Sequence, residues 1–381
     1  MTYLRGTVAG LIVHEWVEQR GGAETVVDGF VGAFPDAALY CLWDDTYGER
    51  YPTTRLFETW LARTPLRGRK AMSLPLMIPA WTHVPIKDPD WMLISSHLFA
   101  HQVRRPSPGV PKVVYVHTPA RYIWAPEYDP RGGRLAARLA SPALRAIDRR
   151  RLDGDLYVAN SRFIRDRIMA SWDVQSEVLH PPVDVERIQS VDRWREHLGD
   201  VDRETLDALP SDFLLGASRF VRYKRLDKVI AMGEATGLPV VLAGGGPDEQ
   251  DLRAHAAEAG VPVELITNPS DELLYALYQR AIAYIFPAVE DFGIMPMEAI
   301  AAGTPAVVNE VGGAREGVEA VGGGSVLRGE EGVHYVEALE EALSADRSEM
   351  VKSVRHFGNM NFERRIAAIM RDAVSATIGE R

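Results

Sequence analysis

Two successive series of short apolar runs, separated by stretches of helical periodicity, most constrain how this 381-residue chain can fold. Apolar runs of four to six residues are typical of buried strands, and the stretches between them are typical of helices. Strands that alternate with helices form a mostly parallel sheet covered on both faces. The pattern therefore predicts an α/β fold of two doubly wound, Rossmann-like domains. The predicted strands lie at 8–13, 39–43, 91–95, 112–117, 155–159, 213–217, 240–243, 263–266, 283–286 and 306–309. The principal predicted helices lie at 23–34, 134–151, 161–171, 227–236, 250–259, 271–280 and 296–302.

The boundary between the two domains is expected near the consecutive prolines at 181–182, because such a pair stiffens a connection. We predict an N-terminal domain over residues 1–185 and a C-terminal domain over residues 186–356. The last helical pattern, residues 357–381, is long enough to cross back and complete the first domain.

Composition excludes several classes of protein. Cys41 is the only cysteine, which excludes an internal disulfide and a cysteine-based zinc site and fits a reducing cytoplasm. The chain has no run of about 18 apolar residues, so we expect no membrane span and no signal peptide. The net charge is −10, and no interleaving of aromatic and basic residues indicates nucleic acid as a partner.

Two acids eight positions apart, Glu290 and Glu298, lie in the segment 285–303. Apolar residues at its start indicate the end of a buried strand, Pro296 suits the first turn of a helix, and Gly303 suits its end. We therefore place Glu290 on the loop after a strand and Glu298 in the first turn of the next helix. Such a helix start attracts anions. The competing interpretation is that Glu298 only complements the helix dipole.

Ligands of open α/β sheets bind beyond the carboxyl ends of the strands, so the residues that follow each strand are candidates. Gly22 opens a helix soon after the first strand, and His117 ends the strand at 112–117. Cations at 219, 222, 224 and 225 follow a strand of the second series and suit a diphosphate. The alternative is a solvated basic loop. Three glycines at 244–246 allow close approach to a ligand, but the P-loop and dinucleotide fingerprints are absent.

No metal site is expected. Asp-x-Asp pairs occur at 88–90, 153–155 and 200–202. The first two precede strands, at the opposite edge of a parallel sheet from the ligand site, and the third lies in a polar stretch. The His–Glu patterns of zinc enzymes and the Gly-x-Ser-x-Gly nucleophile motif are also absent.

These features together resemble the retaining glycosyltransferases of the GT-B fold, glycosyltransferase family 4, and especially the bacterial mannosyltransferase branch. The resemblance covers essentially the whole chain and implies two Rossmann-like domains that face each other across a cleft. It rests on motifs in the family's order: Gly-Gly-Ala-Glu at 21–24, Ser-Ser-His at 95–97, His-Thr-Pro-x-Arg-Tyr-x-Trp at 117–124, Asn-Ser at 160–161, Pro-Pro-Val-Asp at 181–184, Ser-Arg-x4-Lys at 218–224, Glu-x7-Glu at 290–298 and Gly-Gly at 312–313.

The resemblance implies roles for individual residues. Glu290 and His117 would be catalytic, the first contacting hydroxyls of the transferred sugar and the second stabilising the transition state. Two cations would hold the donor diphosphate and Glu298 would hold its ribose. The expected donor is GDP-mannose, transferred by same-face attack without a metal ion or other cofactor. The implied donor-binding residues are Gly22, Arg219, Lys224, Ile266, Asp291, Phe292, Gly293, Ile294 and Glu298.

The acceptor is expected on the first domain, where basic residues precede an apolar stretch at 72–81. This pattern fits a glycan or lipid-linked acceptor and peripheral contact with the inner face of the plasma membrane. The alternative is that the stretch packs between the domains. Residues 1–181 carry 23 lysines and arginines against 19 acids, which agrees with an anionic acceptor. The candidate residues are Arg63, Arg67, Arg69, Lys70, Arg121 and Tyr122.

Other functions stay open at this point. A nucleotide-sugar epimerase or hydrolase of the same fold would need no acceptor site, and a transferase of this kind can also use a UDP-sugar. A non-catalytic protein that binds a sugar nucleotide is a third alternative. A nicotinamide oxidoreductase would need the glycine fingerprint that the chain lacks.

Overall fold

The computed structural model describes residues 10–86, 88–126 and 135–379, with backbone alone for 135–140 and 378–379. The chain forms two compact units. The first consists of Met1–Pro182 and Met360–Arg381, and the second of Val183–Asn359. The predicted fold of two Rossmann-like α/β domains is confirmed, because each unit is built around one parallel sheet.

The first unit contains a seven-stranded parallel sheet in the order β3-β2-β1-β4-β5-β6-β7. Its order reverses between β1 and β4, which makes their carboxyl ends the switch point where ligands of such sheets bind. The strands are β1 Gly10–His14, β2 Ala38–Cys41, β3 Leu56–Glu58, β4 Trp91–Ser96, β5 Lys112–Val116, β6 Leu156–Ala159 and β7 Glu177–Val178. The helices are α1 Gly22–Ala33, α2 Lys70–Ala80, α3 Arg121–Trp124, α4 Leu135–Asp148 and α5 Arg162–Trp172.

The second unit contains a six-stranded parallel sheet in the order β10-β9-β8-β11-β12-β13, with its switch point between β8 and β11. The strands are β8 Leu214–Arg219, β9 Val240–Gly245, β10 Val263–Thr267, β11 Ala283–Phe286, β12 Ala306–Asn309 and β13 Gly324–Leu327. The helices are α6 Val185–Gln189, α7 Asp200–Ala208, α8 Asp227–Thr236, α9 Glu249–Glu258, α10 Asp271–Arg280, α11 Ile294–Ala301, α12 Ala314–Val321, α13 Gly332–Leu343 and α14 Arg347–Ser353. The last helix, α15, covers Asn359–Gly379.

Apolar clusters cover both faces of each sheet, as expected for strands that are buried on both sides. The C-terminal helix α15 supplies part of the first unit's core. Phe362 of α15 stacks on Phe30 of α1, with ring centroids 5.9 Å apart, and Ile366 is fully buried in the same cluster. The segment therefore returns to the first sheet after the second unit is complete. Among the described residues, no helix combines the length and the apolar character that crossing a bilayer would require.

The structure adds short edge strands and several helices to the predicted elements. The helices that were not predicted are α2, α3, α6, α12, α13 and α14. The strands β3, β7 and β13 were not predicted; they have only two to four residues and lie at the edges of their sheets. Short edge strands bury little apolar surface, so their sequence pattern is weak. The apolar stretch at 72–81 forms most of α2, which buries Met77 and Ala80. Residues 8, 9, 134, 380 and 381 of predicted elements lie outside the described part.

Candidate active site

The two central strands of the second sheet, β8 and β11, are adjacent and in register, with Leu214 paired to Ala283 and Leu215 to Tyr284. Their carboxyl ends therefore lie at one edge of the sheet. The loop after β8 carries Lys224, and the loop after β11 carries Glu290. Lys224 Nζ donates a hydrogen bond to Glu290 Oε1 at 2.6 Å.

This ion pair is largely shielded from solvent, with the Lys224 and Glu290 side chains 11% and 14% exposed. Lys224 Nζ also lies 5.2 Å from the ring centroid of Phe286, the last residue of β11, and 5.4 Å from that of Tyr223. Partial burial strengthens the attraction between two opposite charges relative to water. The structure thus brings together a cation and an acid that the sequence separates by 66 positions.

Backbone contacts hold the Glu290 loop in place. The N–H of Gly313 donates to the Glu290 carbonyl at 2.8 Å. At Gly312, whose φ is +115°, an added Cβ atom would lie 2.7 Å from the same carbonyl oxygen. Asn309 is the last residue of β12, and its Nδ2 donates a hydrogen bond to the Pro287 carbonyl at 2.9 Å. The Gly-Gly motif therefore allows α12 to begin directly against the acid-bearing loop.

The helix α11 begins after a glycine in the left-handed region, Gly293, whose φ is +85°. Asp291 and Phe292 precede it and are buried, and Ile294 is its first residue. Since Gly293 has no side chain to cap the helix, the N–H groups of the first turn are left for another acceptor. The structure places Asp291, Phe292, Gly293 and Ile294 consecutively after Glu290, as the sequence requires.

The predicted position of Glu298 in the first turn is wrong. Because α11 begins at Ile294 rather than at Pro296, Glu298 is its fifth residue. The Tyr278 hydroxyl donates to Glu298 Oε2 at 3.2 Å. Burial, with a smaller contribution from Asp184 and Asp271 nearby, raises the pKa of Glu298 to about 7, although the Tyr278 hydrogen bond acts in the opposite direction. Complementing the helix dipole therefore does not explain this acid.

The basic loop after β8 divides into two groups. Arg225 of the loop and Lys228 of α8 share Glu330 at 3.1 and 2.7 Å, and Arg225 also lies 3.6 Å from Asp227, so their charges have partners on the surface. Arg219 is exposed and donates to the Tyr223 hydroxyl at 2.8 Å. Lys224 is the member of the group that faces Glu290.

Ile266, one of the donor-binding residues that the resemblance implies, lies near the end of the edge strand β10 and is 9% exposed. It packs in the core cluster that also contains Ala217 and Ala243. The glycines at the end of β9 have a packing role, because a Cβ atom at Gly244 would lie 1.8 Å from the Ser218 carbonyl oxygen. The loop therefore approaches its neighbouring strand closely, which accounts for its glycines without a ligand.

A second polar cluster lies at the switch point of the first sheet. Ser95 Oγ, on β4, lies 2.8 Å from His117 Nε2 after β5 and 3.0 Å from His14 Nδ1 at the end of β1. His14 Nε2 lies 3.8 Å from Glu24 Oε1 on α1. Glu24 also approaches Gly21, where a Cβ atom would lie 2.0 Å from its carboxylate. The Gly-Gly motif before α1 thus admits this acid, and Gly22 is the first residue of the helix.

Next to this cluster, Glu15 is fully buried, and its Oε1 accepts hydrogen bonds from the backbone N–H groups of His97, Leu98 and Ala100 at 2.9–3.1 Å. Its other oxygen lies 3.3 Å from His97 Nδ1. His14, Glu15 and His97 each offer one metal-ligand atom, and the three atoms lie within 4.8 Å of one another. The sequence analysis missed this group, because its members are 82 residues apart and follow no known metal spacing.

The predicted acceptor residues are not equivalent. Arg67 pairs with Glu58 at 2.9 Å, and Lys70 pairs with Glu18 at 2.8 Å. Arg63 and Arg69 are exposed at the two ends of the turn before α2. The remaining two, Arg121 and Tyr122, are the first residues of α3, and Arg121 lies four positions after His117.

Both units match known protein families. The first matches the model "Glycosyltransferase Family 4" over residues 20–187, and the second matches "Glycosyl transferases group 1" over residues 202–359. The chain carries a glycosyltransferase domain in each half. We refer to them below as the Family 4 domain and the group 1 domain.

Curated relatives are similar at modest identity. The O-antigen chain mannosyltransferase C of Escherichia coli is 33% identical over 128 residues, which is 32% of each chain. A GDP-mannose-dependent alpha-(1-6)-phosphatidylinositol monomannoside mannosyltransferase of Mycolicibacterium smegmatis is 29% identical over 270 residues, 64% of this chain and 67% of the relative. The chain thus spans about a third to two thirds of the length of such relatives.

Solved structures share the fold over nearly the whole chain. The Anabaena protein HepE in complex with UDP has a TM-score of 0.69 and 17% identity, covering 96% of this chain and 100% of HepE. WaaG, a glycosyltransferase involved in lipopolysaccharide biosynthesis, has a TM-score of 0.67 and 16% identity, covering 94% and 99%. These solved structures have the GT-B fold, and their similarity agrees with the two Rossmann-like domains of this chain.

Sequence reasoning missed several residues of the two clusters. Tyr278, which contacts Glu298 in the group 1 domain, comes from α10 and belongs to an ordinary amphipathic pattern. In the Family 4 domain, His14 and Ser95 lie within strands, where they resemble core positions. Their position at the carboxyl ends of two central strands was a signal for both, and Ser95 also belongs to the Ser-Ser-His motif at 95–97, but neither residue was given a role.

Proposed function

We propose that this protein is a retaining glycosyltransferase that moves mannose from GDP-mannose to a glycan, lipid-linked or small glycosylated acceptor. The observation that carries the proposal is the Lys224–Glu290 pair at the carboxyl ends of the two central strands of the group 1 domain. The names of the Escherichia coli and Mycolicibacterium smegmatis relatives favour a mannosyl donor. A UDP-sugar is the alternative donor, because the structure of HepE was solved with UDP-glucose.

In this proposal Lys224 serves the leaving group. An ammonium group has three N–H donors, and one of them is used by Glu290. The others are available to a diphosphate oxygen, with Arg219 as the second cation. Negative charge develops on the diphosphate as the sugar leaves, and fixed cations together with the first turn of α11 would stabilise it. This supply of positive charge supports a reaction that needs no metal ion.

Glu290 serves the sugar in the same proposal. Its carboxylate is already oriented by Lys224 and its backbone carbonyl is held by the Gly313 N–H, so it would accept hydrogen bonds from sugar hydroxyls with little reorganisation. Its charge would also favour a sugar that approaches an oxocarbenium ion. Glu298 would hold the ribose, and His117 of the Family 4 domain would act on the transferred sugar. Retention would follow from same-face attack, with a diphosphate oxygen accepting the acceptor's proton.

The donor is tested by thermal shift with GDP-mannose, GDP, UDP-glucose and UDP. A ligand present at a hundred times its Kd stabilises the folded state by about 2.7 kcal/mol. We expect GDP-mannose and GDP to raise the melting temperature more than the uridine compounds. A larger increase in melting temperature with UDP-glucose would indicate that the donor is a UDP-sugar. No increase with any of the four compounds would refute nucleotide-sugar binding.

Transfer itself is tested with GDP-mannose and octyl α-mannoside, and the anomeric configuration of the product is read by NMR. An α-linked product establishes retention, and a β-linked product contradicts it. GDP-mannose without the acceptor is the control. If free mannose or an epimer forms as quickly as the glycoside does, the hydrolase or epimerase alternative replaces the transferase.

Peripheral membrane contact is a further part of the proposal, and the structure sharpens its test. Since Arg67 and Lys70 are paired with acids, the exposed Arg63 and Arg69 are the better probes. We expect wild type to co-sediment with vesicles rich in phosphatidylglycerol, and Arg63→Ser/Arg69→Ser to do so more weakly. The control is Arg253→Ser/Arg315→Ser, two exposed arginines of the group 1 domain. Equal binding by both variants, or no binding by wild type, contradicts membrane contact through this segment.

A further inference from the structure

The helix α3, Arg121–Trp124, is too short to hold its own position. The Trp124 N–H donates to the Ala120 carbonyl at 3.0 Å, and the Ala125 N–H donates to the Arg121 carbonyl at 2.7 Å. A single helical turn fixes many backbone dihedral angles for few hydrogen bonds, so an isolated turn is unstable in water. Contacts with neighbouring elements must therefore set the position of α3.

A buried carboxylate holds the end of α3. Trp124 Nε1 donates a hydrogen bond to Asp148 Oδ2 at 2.7 Å, and Asp148 is the fully buried last residue of α4. The indole of Trp172, the last residue of α5, donates to the same oxygen at 2.6 Å. Hydrogen bonds to a charged acceptor are stronger than those between neutral groups. One carboxylate therefore joins α3 to α4 and α5.

Two arginines add to this attachment. Arg145 Nε and Nη2 donate to the Ile123 carbonyl at 3.2 and 3.1 Å, where the end of a helix lacks an internal donor. The guanidinium groups of Arg145 and Arg149 lie 5.0 and 4.8 Å from the ring centroid of Trp124. A cation within about 6 Å of an indole ring is attracted to it. Both the backbone and the last side chain of α3 are thus fixed by α4 and the residue that follows it.

The chain before α3 is anchored separately. Asn160, which follows β6 directly and is 5% exposed, donates from Nδ2 to the His117 carbonyl at 3.0 Å. Arg167 of α5 donates to the Thr118 hydroxyl at 3.0 Å. These contacts give the asparagine of the Asn-Ser motif a role. The segment from His117 to Trp124 is therefore held at both ends, and the two acceptor candidates of α3 lie between the anchors.

We propose that Asp148 and Trp124 are positioning residues that fix α3, so that Arg121 and Tyr122 meet the acceptor in a set orientation. This inference rests on the proposed function for the role of Arg121 and Tyr122. None of the steps proposed above uses Asp148, Trp124 or Arg145. Since the cations assigned to the donor diphosphate lie in the group 1 domain, a loosened α3 should weaken use of the acceptor and leave use of the donor unchanged.

The two tryptophans that share Asp148 provide a matched pair of variants. Trp124→Phe removes the indole N–H of α3 and keeps an aromatic ring beside the arginines. Trp172→Phe removes the indole N–H that reaches the same oxygen from α5. Each variant loses one hydrogen bond to the same carboxylate, so we expect similar decreases in melting temperature. Only Trp124→Phe releases α3.

Hydrogen exchange of a peptide containing residues 121–125, measured by mass spectrometry, tests the positioning without any substrate. We expect exchange at least about tenfold faster in Trp124→Phe than in wild type, because local opening becomes easier. Trp172→Phe should exchange at the wild-type rate. Equal rates in Trp124→Phe and wild type, or the same acceleration in both variants, overturn the inference.

Kinetics with GDP-mannose and octyl α-mannoside provide the second readout. Trp124→Phe should raise the KM for octyl α-mannoside at least about fivefold and leave the KM for GDP-mannose within about twofold of wild type. Trp172→Phe should retain both values. An unchanged acceptor KM in a folded Trp124→Phe overturns the inference. A wild type that transfers no mannose refutes the proposed function, and the exchange result still decides whether Asp148 and Trp124 hold α3.

If Trp124→Phe does not fold, as judged by its melting curve, Arg145→Met makes the same test from an exposed position. It removes the two hydrogen bonds to the Ile123 carbonyl. The control is Arg150→Met, which changes an exposed arginine next to α4. We expect faster exchange at 121–125 and a higher acceptor KM in Arg145→Met than in Arg150→Met. Equal values in these two variants overturn the inference.

Discussion

The ammonium nitrogen of Lys224 lies 2.6 Å from Oε1 of Glu290, and both side chains are nearly removed from solvent. A shielded ion pair of this kind is costly to break on one side only, because the remaining charge keeps its desolvation cost without its partner. The pair therefore orients both residues before a ligand arrives. A substitution at either residue therefore also changes the environment of the other.

Glu290→Gln keeps the shape of the side chain and removes its charge. We expect kcat to fall at least about a hundredfold, because a preorganised charged contact with the reacting sugar is lost. The control is Glu319→Gln, which removes an exposed acid that pairs with Arg315 on α12. Turnover within about threefold of wild type for Glu290→Gln, in a steady-state assay with GDP-mannose, would show that the proposed sugar contact is wrong.

Lys224→Met should weaken GDP binding about tenfold to a hundredfold, since a charge-assisted hydrogen bond to the diphosphate contributes about 1.5–3 kcal/mol. Guanosine, which has no diphosphate, should bind both proteins equally. The matched control is Lys228→Met, whose charge is satisfied by Glu330 at 2.7 Å. Isothermal titration of the three proteins tests this directly. If Lys228→Met weakens GDP binding as much as Lys224→Met does, the assignment of Lys224 fails.

Glu298 should make the stability of the protein depend on pH. Its folded pKa of about 7 lies above the ordinary glutamate value of 4.5, so the folded state retains a proton that the unfolded state loses. The free energy of unfolding should therefore fall as pH rises from about 4.5 to about 7, by roughly 3 kcal/mol, and then level off. Glu298→Gln should lose this contribution. Urea denaturation at pH 5 and pH 8 measures the difference; the same pH dependence in both proteins contradicts the prediction.

Donor binding should be linked to the same proton. An ionised Glu298 accepts two ribose hydrogen bonds, whereas its protonated form has less acceptor capacity. We expect the affinity for GDP to rise between pH 6 and pH 8 in wild type and to stay flat in Glu298→Gln. Titrations at several pH values report this, and a pH-independent wild-type affinity would argue against ribose contact by Glu298.

Lys112 is a fully buried lysine in the Family 4 domain, held by Asp153 at 2.5 Å and by the carbonyls of His101 and Val103. Burial lowers its pKa to about 8, and Asp153 limits the decrease. Asp153→Asn should therefore destabilise the protein by about 1–2 kcal/mol at pH 7. The loss should shrink above pH 8, where folded Lys112 becomes neutral. The control is Asp166→Asn, which removes an exposed partner of Arg165.

Removal of divalent cations with EDTA should leave transfer unchanged, because Lys224, Arg219 and α11 are proposed to supply the positive charge that the diphosphate needs. Activity is measured before and after chelation and after the return of Mg²⁺ or Mn²⁺. Loss of activity that Mg²⁺ or Mn²⁺ restores would contradict this. The group formed by His14, Glu15 and His97 would then be the metal site to test.

Much of the architecture follows from local patterns. The central strands are continuous apolar runs, and their alternation with helical periodicity is sufficient to predict two doubly wound sheets. The ends of such strands direct attention to His117, to the loop carrying Lys224 and to Glu290. Edge strands such as β7 were missed, because two residues in an exposed position carry almost no apolar signal.

Local sequence patterns are sufficient for the fold class, the loops on which the candidate residues lie and the family resemblance of their motifs, because these depend on residues near one another in the chain. The pairing of side chains follows from the three-dimensional fold. It joined Lys224 to Glu290 across 66 residues and buried Glu298 against Tyr278. It also placed Ser95 between two histidines that are 81 residues before it and 22 after it. Hydrogen bonds and desolvation act through distances of a few ångströms, and in a parallel sheet those distances are set by strand order rather than by sequence separation.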